Sequence, residues 1–409
     1  MRIGIDGGCL ANRRGFGRFA RQVVGALAEA RSGHELVAFV DRPSLDQVVV
    51  PSGVEVVAVD VREAPSLAAS ATGRRRLGDM LAMGRAASRA GLDVMYFPAS
   101  YSFFPVWNVG RVVVTMHDTL ALAHPEWVFP TWQGRLAWRA KERLAVLWSD
   151  RIATVSEAAR RDLIAWFGLP PGRVRVVSEG PDAAFFPAEP GPESAEALRR
   201  YGVEPGSRYL LYVGGLSPHK NLPRLIEGFA AASAGSARLI LVGDIGDVFH
   251  THVPELRQAI ARLGLGDRAH FTGFVPDADL AHLYRGAYAL VQPSLMEGFG
   301  LPPVEAMACG TPILSSTAGS LPEVVGEAGA YFDPTDVPAI ARTIAGLLAN
   351  PAERDRLARL ALNRARRFTW AAAARSLLEC FEELDRRGRH RSFRPTRRPS
   401  TPTSLRRTA

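Results

Sequence analysis

Two glutamates eight residues apart, Glu297 and Glu305, flank a glycine-bearing loop in the segment SLMEGFGLPPVEAMACGTPIL. The pair Pro302-Pro303 favours a helix start directly after this loop, so Glu297 precedes the helix and Glu305 falls in its first turn. Backbone N–H groups at a helix start lack intrahelical partners, and the positive end of the helix dipole favours an anion there. The N–H groups concerned belong to Gly298, Phe299, Gly300 and Leu301.

Carboxylates are poor phosphate ligands, but each oxygen can accept a hydrogen bond from a hydroxyl group. Two carboxylates flanking a phosphate-binding helix start therefore predict a nucleotide sugar, with the diphosphate between two polyols. Taken singly, Glu305 could only compensate the helix dipole and Glu297 could be a solvated loop acid. Their joint arrangement favours the ligand site.

A second glycine-rich loop lies near the N-terminus, where Gly15-x-Gly17-x-x-Ala20 matches the G-x-G-x-x-G/A pattern of dinucleotide-binding turns. Asp41 ends the next predicted strand, where a ribose-binding acid would lie. That pattern requires its first glycine directly after the first strand, but Gly15 follows the predicted strand end at Asp6 by nine residues. We therefore expect both glycines to let the backbone approach a ligand in a cleft just before a helix begins; a flexible loop is the alternative.

These residues must be positioned by strands and helices that alternate along the chain. Short β-rich runs alternate with amphipathic patterns such as Phe19–Ala30 and Thr131–Ser149, which predicts βαβ units, parallel sheets and an α/β fold. We expect two doubly wound, Rossmann-like domains facing each other across a cleft, because such sheets bind ligands at the carboxyl ends of their strands. The predicted strands are Arg2–Asp6, Glu35–Asp41, Val54–Val59, Val94–Phe97, Val112–Met116, Arg151–Val155, Val174–Val177, Tyr209–Val213, Arg238–Val242, Ala269–Thr272, Tyr288–Gln292 and Pro312–Ser315.

The predicted boundaries follow from changes in composition. The first domain covers residues 1–188, a linker rich in Pro, Gly and Glu covers 189–206, and the second domain covers 207–368. A final helix over 369–385 is expected to pack back on the first domain. The remaining residues, 386–409, form a basic tail that we expect to be disordered.

Charge and cysteine content narrow the class of protein. The net charge of +9 arises in residues 386–409, which hold nine arginines and no acid, whereas the rest of the chain is balanced at 41 basic and 41 acidic residues. We predict a solvated tail rather than specific nucleic-acid binding. No apolar run approaches the roughly 20 residues that span a bilayer, and the N-terminus lacks a signal-peptide core. The three cysteines have no metal-ligand spacing, so we expect a cytoplasmic protein without a metal.

The context of Glu297 and Glu305 resembles the signature of the family-4 retaining glycosyltransferases, which have the two-domain GT-B fold. The resemblance implies an enzyme that moves a sugar from a nucleoside-diphosphate donor to an acceptor hydroxyl with retention of configuration, in polysaccharide, glycolipid or other glycoconjugate biosynthesis. It spans nearly everything but the linker and the tail. Its other segments are GFGRFARQVVGAL, VVVTMHDTLAL, ATVSEAARRDLIAWFGLPPGRVRVVSEGPD, LYVGGLSPHKNLPRLIEGF, LILVGD, HFTGFVPDADLAHLYRGAYALVQPS and GSLPEVVGEAGAYFDP.

Carried over residue by residue, the resemblance implies roles at the donor. Glu297 would contact hydroxyls of the donor sugar near the reacting carbon, and Glu305 would hold the ribose hydroxyls. Lys220 would pair with the diphosphate. His117, in TMHD, would lie near the donor sugar and phosphate, with a purely structural histidine as the alternative. In the first domain, on the acceptor side, Gly15 and Gly17 would form a mobile loop near the phosphate.

The nucleobase end of the donor is implied at TGFVPDADL, through the backbone of Val275 and the side chain of Asp277. Asp277-Ala-Asp279 also spells D-x-D, a metal-binding motif in another glycosyltransferase fold. Because a helical pattern follows directly, we expect helix N-capping and no metal or other cofactor. The chain departs from the family at Gly215, where an arginine is common, so His219 or the helix dipole would have to supply the missing phosphate charge.

Three other functions remain open on the sequence alone. A GT-B-like nucleotide-sugar epimerase would share the architecture and ligand class, an NAD-dependent dehydrogenase would use the Gly15 motif and Asp41, and a non-catalytic protein would bind the donor without turnover. The expected partners are a nucleotide-sugar donor and a carbohydrate or lipid-linked acceptor.

Contact with a membrane is a further possibility that the sequence raises. Five tryptophans lie within residues 107–148, beside Arg and Lys, a composition suited to an anionic membrane at its inner face or to a lipid-linked acceptor. Because apolar residues recur there at helical spacing, we favour an ordinary packed helix. These residues are Trp132, Leu136, Ala140, Leu144 and Leu147. The basic segment 73–91 is a second candidate, with a solvated helix face as its alternative.

Overall fold

The computed structural model describes residues 1–12, 14–63, 76–232, 234–244 and 253–386. They form two domains, each built around one parallel sheet, as predicted. The predicted basic tail lies outside the described residues except for Arg386, and so do residues 73–75 of the basic segment. Among the described helices, none combines the length and hydropathy required to cross a membrane.

The first domain contains a seven-stranded sheet in the order β3-β2-β1-β4-β5-β6-β7. Its order reverses between β1 and β4, and this reversal creates the crevice where open parallel sheets bind ligands. The strands are β1 (Arg2–Asp6), β2 (Glu35–Asp41), β3 (Val54–Val59), β4 (Val94–Phe97), β5 (Arg111–Thr115), β6 (Arg151–Thr154) and β7 (Val174–Val176). The helices are α1 (Gly15–Glu29), α2 (Leu77–Ser88), α3 (Leu120–Ala123), α4 (Trp132–Trp148) and α5 (Glu157–Phe167).

The second domain contains a six-stranded sheet in the order β10-β9-β8-β11-β12-β13, with the same reversal between β8 and β11. The strands are β8 (Tyr209–Val213), β9 (Arg238–Val242), β10 (Ala269–Gly273), β11 (Ala289–Gln292), β12 (Ile313–Ser316) and β13 (Gly329–Phe332). The helices are α6 (Pro192–Arg200), α7 (Leu222–Ala231), α8 (Val253–Arg262), α9 (Asp277–Gly286), α10 (Leu301–Ala308), α11 (Leu321–Val325), α12 (Val337–Ala349) and α13 (Pro351–Ala365).

Every predicted strand is observed to within one residue, because strands buried on both faces are continuous runs of β-branched and aromatic residues. Strand β13 was not predicted. It is a short edge strand of four residues, GAYF, that is only half-buried over most of its length, so it lacks such a run.

The segment expected to be a linker contains helix α6. The first residues of α6 are polar and include Pro192, which the first turn of a helix tolerates. Composition alone therefore indicates a linker here and not a helix. Ala197 and Leu198 bury their side chains, and Ser194 Oγ lies 2.9 Å from His282 Nδ1 of α9. This helix therefore belongs to the second domain.

The final helix, α14 (Trp370–Arg386), leaves the second domain and lies on the first. Ser376 Oγ donates to Val176 O at 3.0 Å, and Arg175 of β7 pairs with Glu379 and Glu383 at 2.5 and 2.9 Å. The buried side chains of α14 join those of α1 in one apolar core. The chain thus crosses between the domains twice.

Helix α4 packs only in part as predicted. Trp132, Leu136 and Leu147 are 68%, 60% and 75% exposed, and the buried residues of the helix are Glu142, Ala145 and Val146. Most of the predicted apolar stripe is therefore exposed, although Leu144 packs against the core of the first domain, so the expectation of an ordinary packed helix holds only in part. The spacing of apolar residues predicted an amphipathic helix, but it did not predict which side of that helix packs against the sheet.

The two domains touch at the carboxyl ends of their sheets. Ser156 Oγ donates to Gly298 O at 2.6 Å, and the N–H groups of Glu157 and Ala158 donate to Glu323 at 2.8 and 2.9 Å. A Cβ on Gly298 would lie 2.4 Å from His117 O, so this position requires glycine for the close approach of the domains. The predicted ligand loop is therefore also an interdomain contact.

Candidate active site between the domains

Two neighbouring strands of the second sheet bring the predicted donor residues together. Lys220 lies in the loop after β8, and Glu297 lies in the loop after β11. These strands pair in parallel, so their following loops meet at one sheet edge, where Leu295 N donates to His219 O at 2.8 Å. Sequence separation of 77 residues becomes direct contact here.

Glu297 receives three hydrogen bonds on one oxygen. Its Oε1 accepts from Lys220 Nζ at 2.6 Å and from Gln292 Nε2 and Ser294 Oγ at 2.7 Å each. No partner for Oε2 is found among the described residues. Burial alone would raise the pKa of Glu297, but the Lys220 ammonium outweighs it and lowers that pKa, so the carboxyl is ionised. The site therefore holds an anchored carboxylate with one oxygen available to a ligand.

The start of helix α10 offers a row of backbone donors. Gly300 precedes the helix with φ of 106°, a left-handed conformation that favours glycine, and no side chain caps the helix. Within the described ranges, no hydrogen bond to another residue has one of the four predicted N–H groups as its donor. Since these residues are buried or half-buried, their N–H groups require a partner such as a bound anion. They are those of Gly298, Phe299, Gly300 and Leu301.

Glu305, by contrast, has both oxygens engaged and is 1% exposed. Tyr284 donates its hydroxyl to Oε2 at 2.9 Å, and Arg18 of the first domain donates Nη1 to Oε1. Arg18 also donates Nη2 to Asp277 Oδ1, at the first residue of α9. The expected nucleoside end of the site is thus occupied by Arg18, which the sequence analysis did not identify although it directly follows Gly17.

The remaining predictions at this end need correction. Asp277 and Asp279 do not cap α9: its N-cap is Pro276 and no side chain caps it. Asp279 instead accepts from Arg200 and from the Tyr201 hydroxyl, both at 2.7 Å. In the part of the chain that the structure describes, no group of three or more His, Cys, Asp or Glu side chains is arranged to hold a metal.

The predicted loop around Gly15 and Gly17 is part of a helix in the structure. Helix α1 begins at Gly15, so Gly15 and Gly17 lie inside its first turn rather than before it. A Cβ on Gly17 would lie 1.7 Å from Asn12 O, whereas one on Gly15 would meet nothing within 4 Å. Gly17 therefore allows the preceding loop to pack against the helix, and only Gly15 leaves open space. The side chain of Val275 is buried in the core, which leaves its backbone as the group expected to meet the nucleobase.

His117 forms the opposite wall of the site. Its Nε2 lies 3.2 Å from Pro98 O and its Nδ1 lies 3.6 Å from Glu179 Oε1, while the rings of Phe16 and Phe19 pack at 4.9 and 4.7 Å. Both ring nitrogens thus face protein groups. Glu179 was not predicted, because a lone acid after a strand carries no signal in the sequence. Burial raises the pKa of Glu179, and the adjacent His117 opposes this shift.

His219 cannot carry the charge that Gly215 does not supply. Burial, and then the neighbouring Lys220, lower the pKa of His219 to about 3, so its imidazole is neutral at physiological pH. A neutral ring can donate one N–H but contributes no cation. The expectation that His219 replaces the missing arginine charge is corrected accordingly.

This shift predicts a measurable effect on stability. An unfolded histidine has a pKa of about 6.5, so the unfolded state binds the proton first as pH falls, and stability is lost below that value. From pH 7 to pH 5 the folded protein should lose about 2 kcal/mol through His219, and His219→Asn should abolish this loss. Urea unfolding at both pH values measures it, with the surface replacement His124→Asn as control. An identical pH dependence in His219→Asn and the unmodified protein would contradict the assignment.

Comparison with known proteins is consistent with this geometry. Residues 194–364 match the family model described as glycosyl transferases group 1, and residues 14–180 match the glycosyl transferase 4-like domain. O-antigen chain mannosyltransferase B of Escherichia coli is 30% identical over 90% of this chain and 96% of its own. D-inositol 3-phosphate glycosyltransferase of Acidothermus cellulolyticus is 34% identical over 58% of this chain, and the match spans 53% of that relative.

Solved structures share the fold. Sucrose-phosphate synthase from Thermosynechococcus elongatus superposes with a TM-score of 0.75 at 22% identity, covering 95% of this chain and all of the other. Anabaena Alr3699/HepE, solved in complex with UDP-glucose, superposes with a TM-score of 0.70 at 22% identity, covering 94% of this chain and all of the other. At this identity the likeness shows the architecture of two facing domains.

Proposed function

The chain belongs to the group 1 glycosyl transferases, and we propose that its interdomain site transfers a sugar from a nucleoside diphosphate to an acceptor hydroxyl. Its first domain is a glycosyl transferase 4-like domain, and the two domains together have the GT-B fold. The enzyme is a glycosyltransferase of glycoconjugate biosynthesis. The relatives described above are named as sugar transferases, so the epimerase and dehydrogenase alternatives have no support.

One observation carries the proposed donor site: the N–H groups at the start of α10, which have no partner among the described residues, lie beside an ionised carboxylate whose second oxygen likewise has none there. The helix start and the Lys220 ammonium suit a diphosphate, because both present positive charge in a largely buried place. The Oε2 of Glu297 suits a sugar hydroxyl. An activated sugar joins these two chemistries in one molecule, which an isolated phosphate or sugar does not.

We propose that the chemistry is carried by charge stabilisation rather than by an enzyme nucleophile. As the anomeric carbon–oxygen bond breaks, negative charge develops on the departing phosphate, where Lys220 and the helix N–H groups stabilise it. In a same-face attack the departing oxygen takes the proton of the acceptor hydroxyl, which gives retention. Glu297, fixed by three hydrogen bonds, orients the sugar. His117 forms the wall behind it, and no metal ion is needed.

The proposed substrate class follows from a relative that this chain matches over almost its whole length. The E. coli relative named O-antigen chain mannosyltransferase B is covered almost throughout, which favours a hexose donor, mannose first, and a growing polysaccharide or lipid-linked glycan as acceptor. The nucleobase end of the site, at Val275 and Asp277, discriminates the base.

The test is a panel of UDP-, GDP- and ADP-linked hexoses with carbohydrate acceptors, each with and without excess chelator. We expect release of nucleoside diphosphate with one donor, dependence on an acceptor, an α-linked product from an α-linked donor, and no effect of the chelator. Donor conversion without acceptor to another sugar nucleotide, or turnover restored only by a divalent metal, would overturn the proposal.

We further propose that α4 contacts an anionic membrane, where a lipid-linked acceptor would be held. Trp132, Leu136, Arg139, Arg143 and Leu147 recur every three or four residues on its exposed face, which combines apolar and basic side chains. The one acid of the helix, Glu142, is buried and accepts from Ser100 at 2.8 Å. An exposed apolar face rimmed by cations, with no opposing acid, suits an anionic lipid surface.

Co-sedimentation with vesicles tests this contact. Trp132→Ser combined with Leu136→Ser should weaken binding to phosphatidylserine-containing vesicles at least tenfold, since each buried apolar side chain contributes about 1.5–3 kcal/mol. Trp166→Ser, which replaces an exposed tryptophan of α5, should not change binding. Absence of binding by the unmodified protein, or equal loss in both variants, would contradict the assignment to α4.

A further inference from the structure

A single arginine of the first domain fills the nucleoside end of the site. Arg18 lies in the first turn of α1, where its N–H donates to Arg14 O at 2.9 Å, and its guanidinium reaches Glu305 and Asp277 of the second domain. The Phe185 ring centroid lies 5.8 Å from the guanidinium carbon. Two carboxylates of one domain therefore share one cation of the other.

Arg18 stays charged despite its burial. Burial alone would lower the pKa of Arg18, but the carboxylates of Glu305 and Asp277 outweigh it and raise that pKa. Burial raises the pKa of Glu305, and Arg18 opposes this shift. Removing two charges from water costs free energy, and this cost offsets much of the attraction between them. A buried ion pair is therefore weak evidence for a purely stabilising role.

A ligand on Glu305 must displace Arg18. Tyr284 occupies Oε2 and Arg18 occupies Oε1, and the residue is almost fully buried. Each carboxylate oxygen can accept more than one hydrogen bond, but Arg18 and Tyr284 cover Glu305 so closely that a ribose hydroxyl can reach it only after the guanidinium moves aside. The displaced guanidinium then needs a new anionic partner. The helix start of α10 lies four residues before Glu305, about 6 Å along the axis at 1.5 Å per residue. That distance is within the reach of an arginine side chain whose backbone stays in place.

The phosphate end of the site lacks a cation that Arg18 can provide. Gly215 has no side chain to offer, and burial and the neighbouring Lys220 lower the pKa of His219, so that its imidazole is neutral. Lys220 is present, but its ammonium is already paired with Glu297 at 2.6 Å. A diphosphate at the helix start would therefore meet one shared cation from the second domain.

Resting on the donor site proposed above, we propose that Arg18 is the donor-responsive positioning residue of this enzyme. In this structure it pairs with Glu305 and Asp277. When the ribose takes Glu305, the guanidinium moves to the diphosphate and supplies the second cation from the opposite domain. The same side chain thus links the first domain to the second before and after the donor binds, and couples donor binding to the position of α1.

The test compares ligands with and without phosphate. The best of UDP, GDP and ADP for the unmodified protein is selected first, and its affinity and that of the matching nucleoside are then measured by calorimetry for Arg18→Gln. We expect the diphosphate to bind about 10- to 100-fold more weakly, as for a lost charged hydrogen bond, and the nucleoside to bind as tightly as before or more tightly, because it no longer displaces the arginine. Arg18→Lys should fall between the two proteins for the diphosphate.

Glu323→Ala serves as the matched control, since it removes a different interdomain contact, to the N–H groups of Glu157 and Ala158. It should leave both affinities unchanged. Equal weakening of nucleoside and diphosphate by Arg18→Gln would mean that the residue only holds the domains together, and unchanged affinities would mean that it touches neither; either result overturns the proposal. Unaltered circular dichroism excludes misfolding as the cause. If the unmodified protein binds none of the three diphosphates, the proposed donor site fails instead.

Discussion

Replacing Glu297 with Gln is expected to lower kcat by about 10²- to 10³-fold. The variant keeps the size of the side chain but removes the charge that balances Lys220 and that strengthens the hydrogen bond to the sugar. The amide keeps one oxygen for the three donors that now bond to Oε1, so its NH2 group replaces Oε2 and presents a donor where the carboxylate accepts from the sugar; the sugar should therefore shift. A displacement of about 1 Å at a reacting centre can itself cost about 100-fold.

The control for this prediction is Ser294→Ala, which removes one donor from Oε1 and leaves the carboxylate and the other two in place. A neutral hydrogen-bond donor contributes about 1 kcal/mol, so this variant should lose less than about tenfold. Steady-state release of nucleoside diphosphate measures both variants. If Glu297→Gln retains turnover near that of the unmodified enzyme, Glu297 does not orient the sugar.

The Lys220→Met variant should lose a comparable factor, about 10²- to 10³-fold in kcat, because it removes a preorganised donor from the oxygen on which charge develops. Substrate binding should suffer less than turnover, since the leaving-group charge is larger in the transition state than in the bound donor. The variant also leaves Glu297 buried without its cation, which raises the pKa of that carboxyl.

Arg224→Gln is the matched control, because Arg224 is a cation on the adjacent helix α7 that bonds to Asn221 Oδ1 at 2.9 Å rather than to Glu297. Its kcat should equal that of the unmodified enzyme. Single-turnover kinetics separate the chemical step from donor binding. Loss of donor affinity in Lys220→Met with an unchanged chemical step would contradict the role of Lys220 in the transition state.

The elements and the donor loop could be predicted because their signals are local. The buried strands are continuous apolar runs, and the spacing from Glu297 to Glu305 sets their positions before and within one helix. The meeting of Lys220 with Glu297 also follows from topology, since both lie after neighbouring parallel strands. In each case the information is contained in a single segment or in the order of the strands.

The features that escaped prediction depend on how the parts approach one another. Arg18 contacts Glu305 only because the two domains meet. Glu179 contacts His117 only because the first sheet brings the loops after β5 and β7 together. The presence of a glycine at position 17 likewise does not predict that its backbone packs closely against Asn12. Helix α4 has the spacing of an amphipathic helix, but which side it turns to the sheet is set by its neighbours.

The most direct test of the central claim is a crystal structure of the enzyme with its nucleoside-diphosphate sugar. We expect the diphosphate on the N–H groups of residues 298–301 and on Lys220, the sugar on Oε2 of Glu297, and the ribose on Glu305 with Arg18 displaced. A donor bound away from the interdomain gap, or bound there while Glu305 remains paired with Arg18, would contradict the claim.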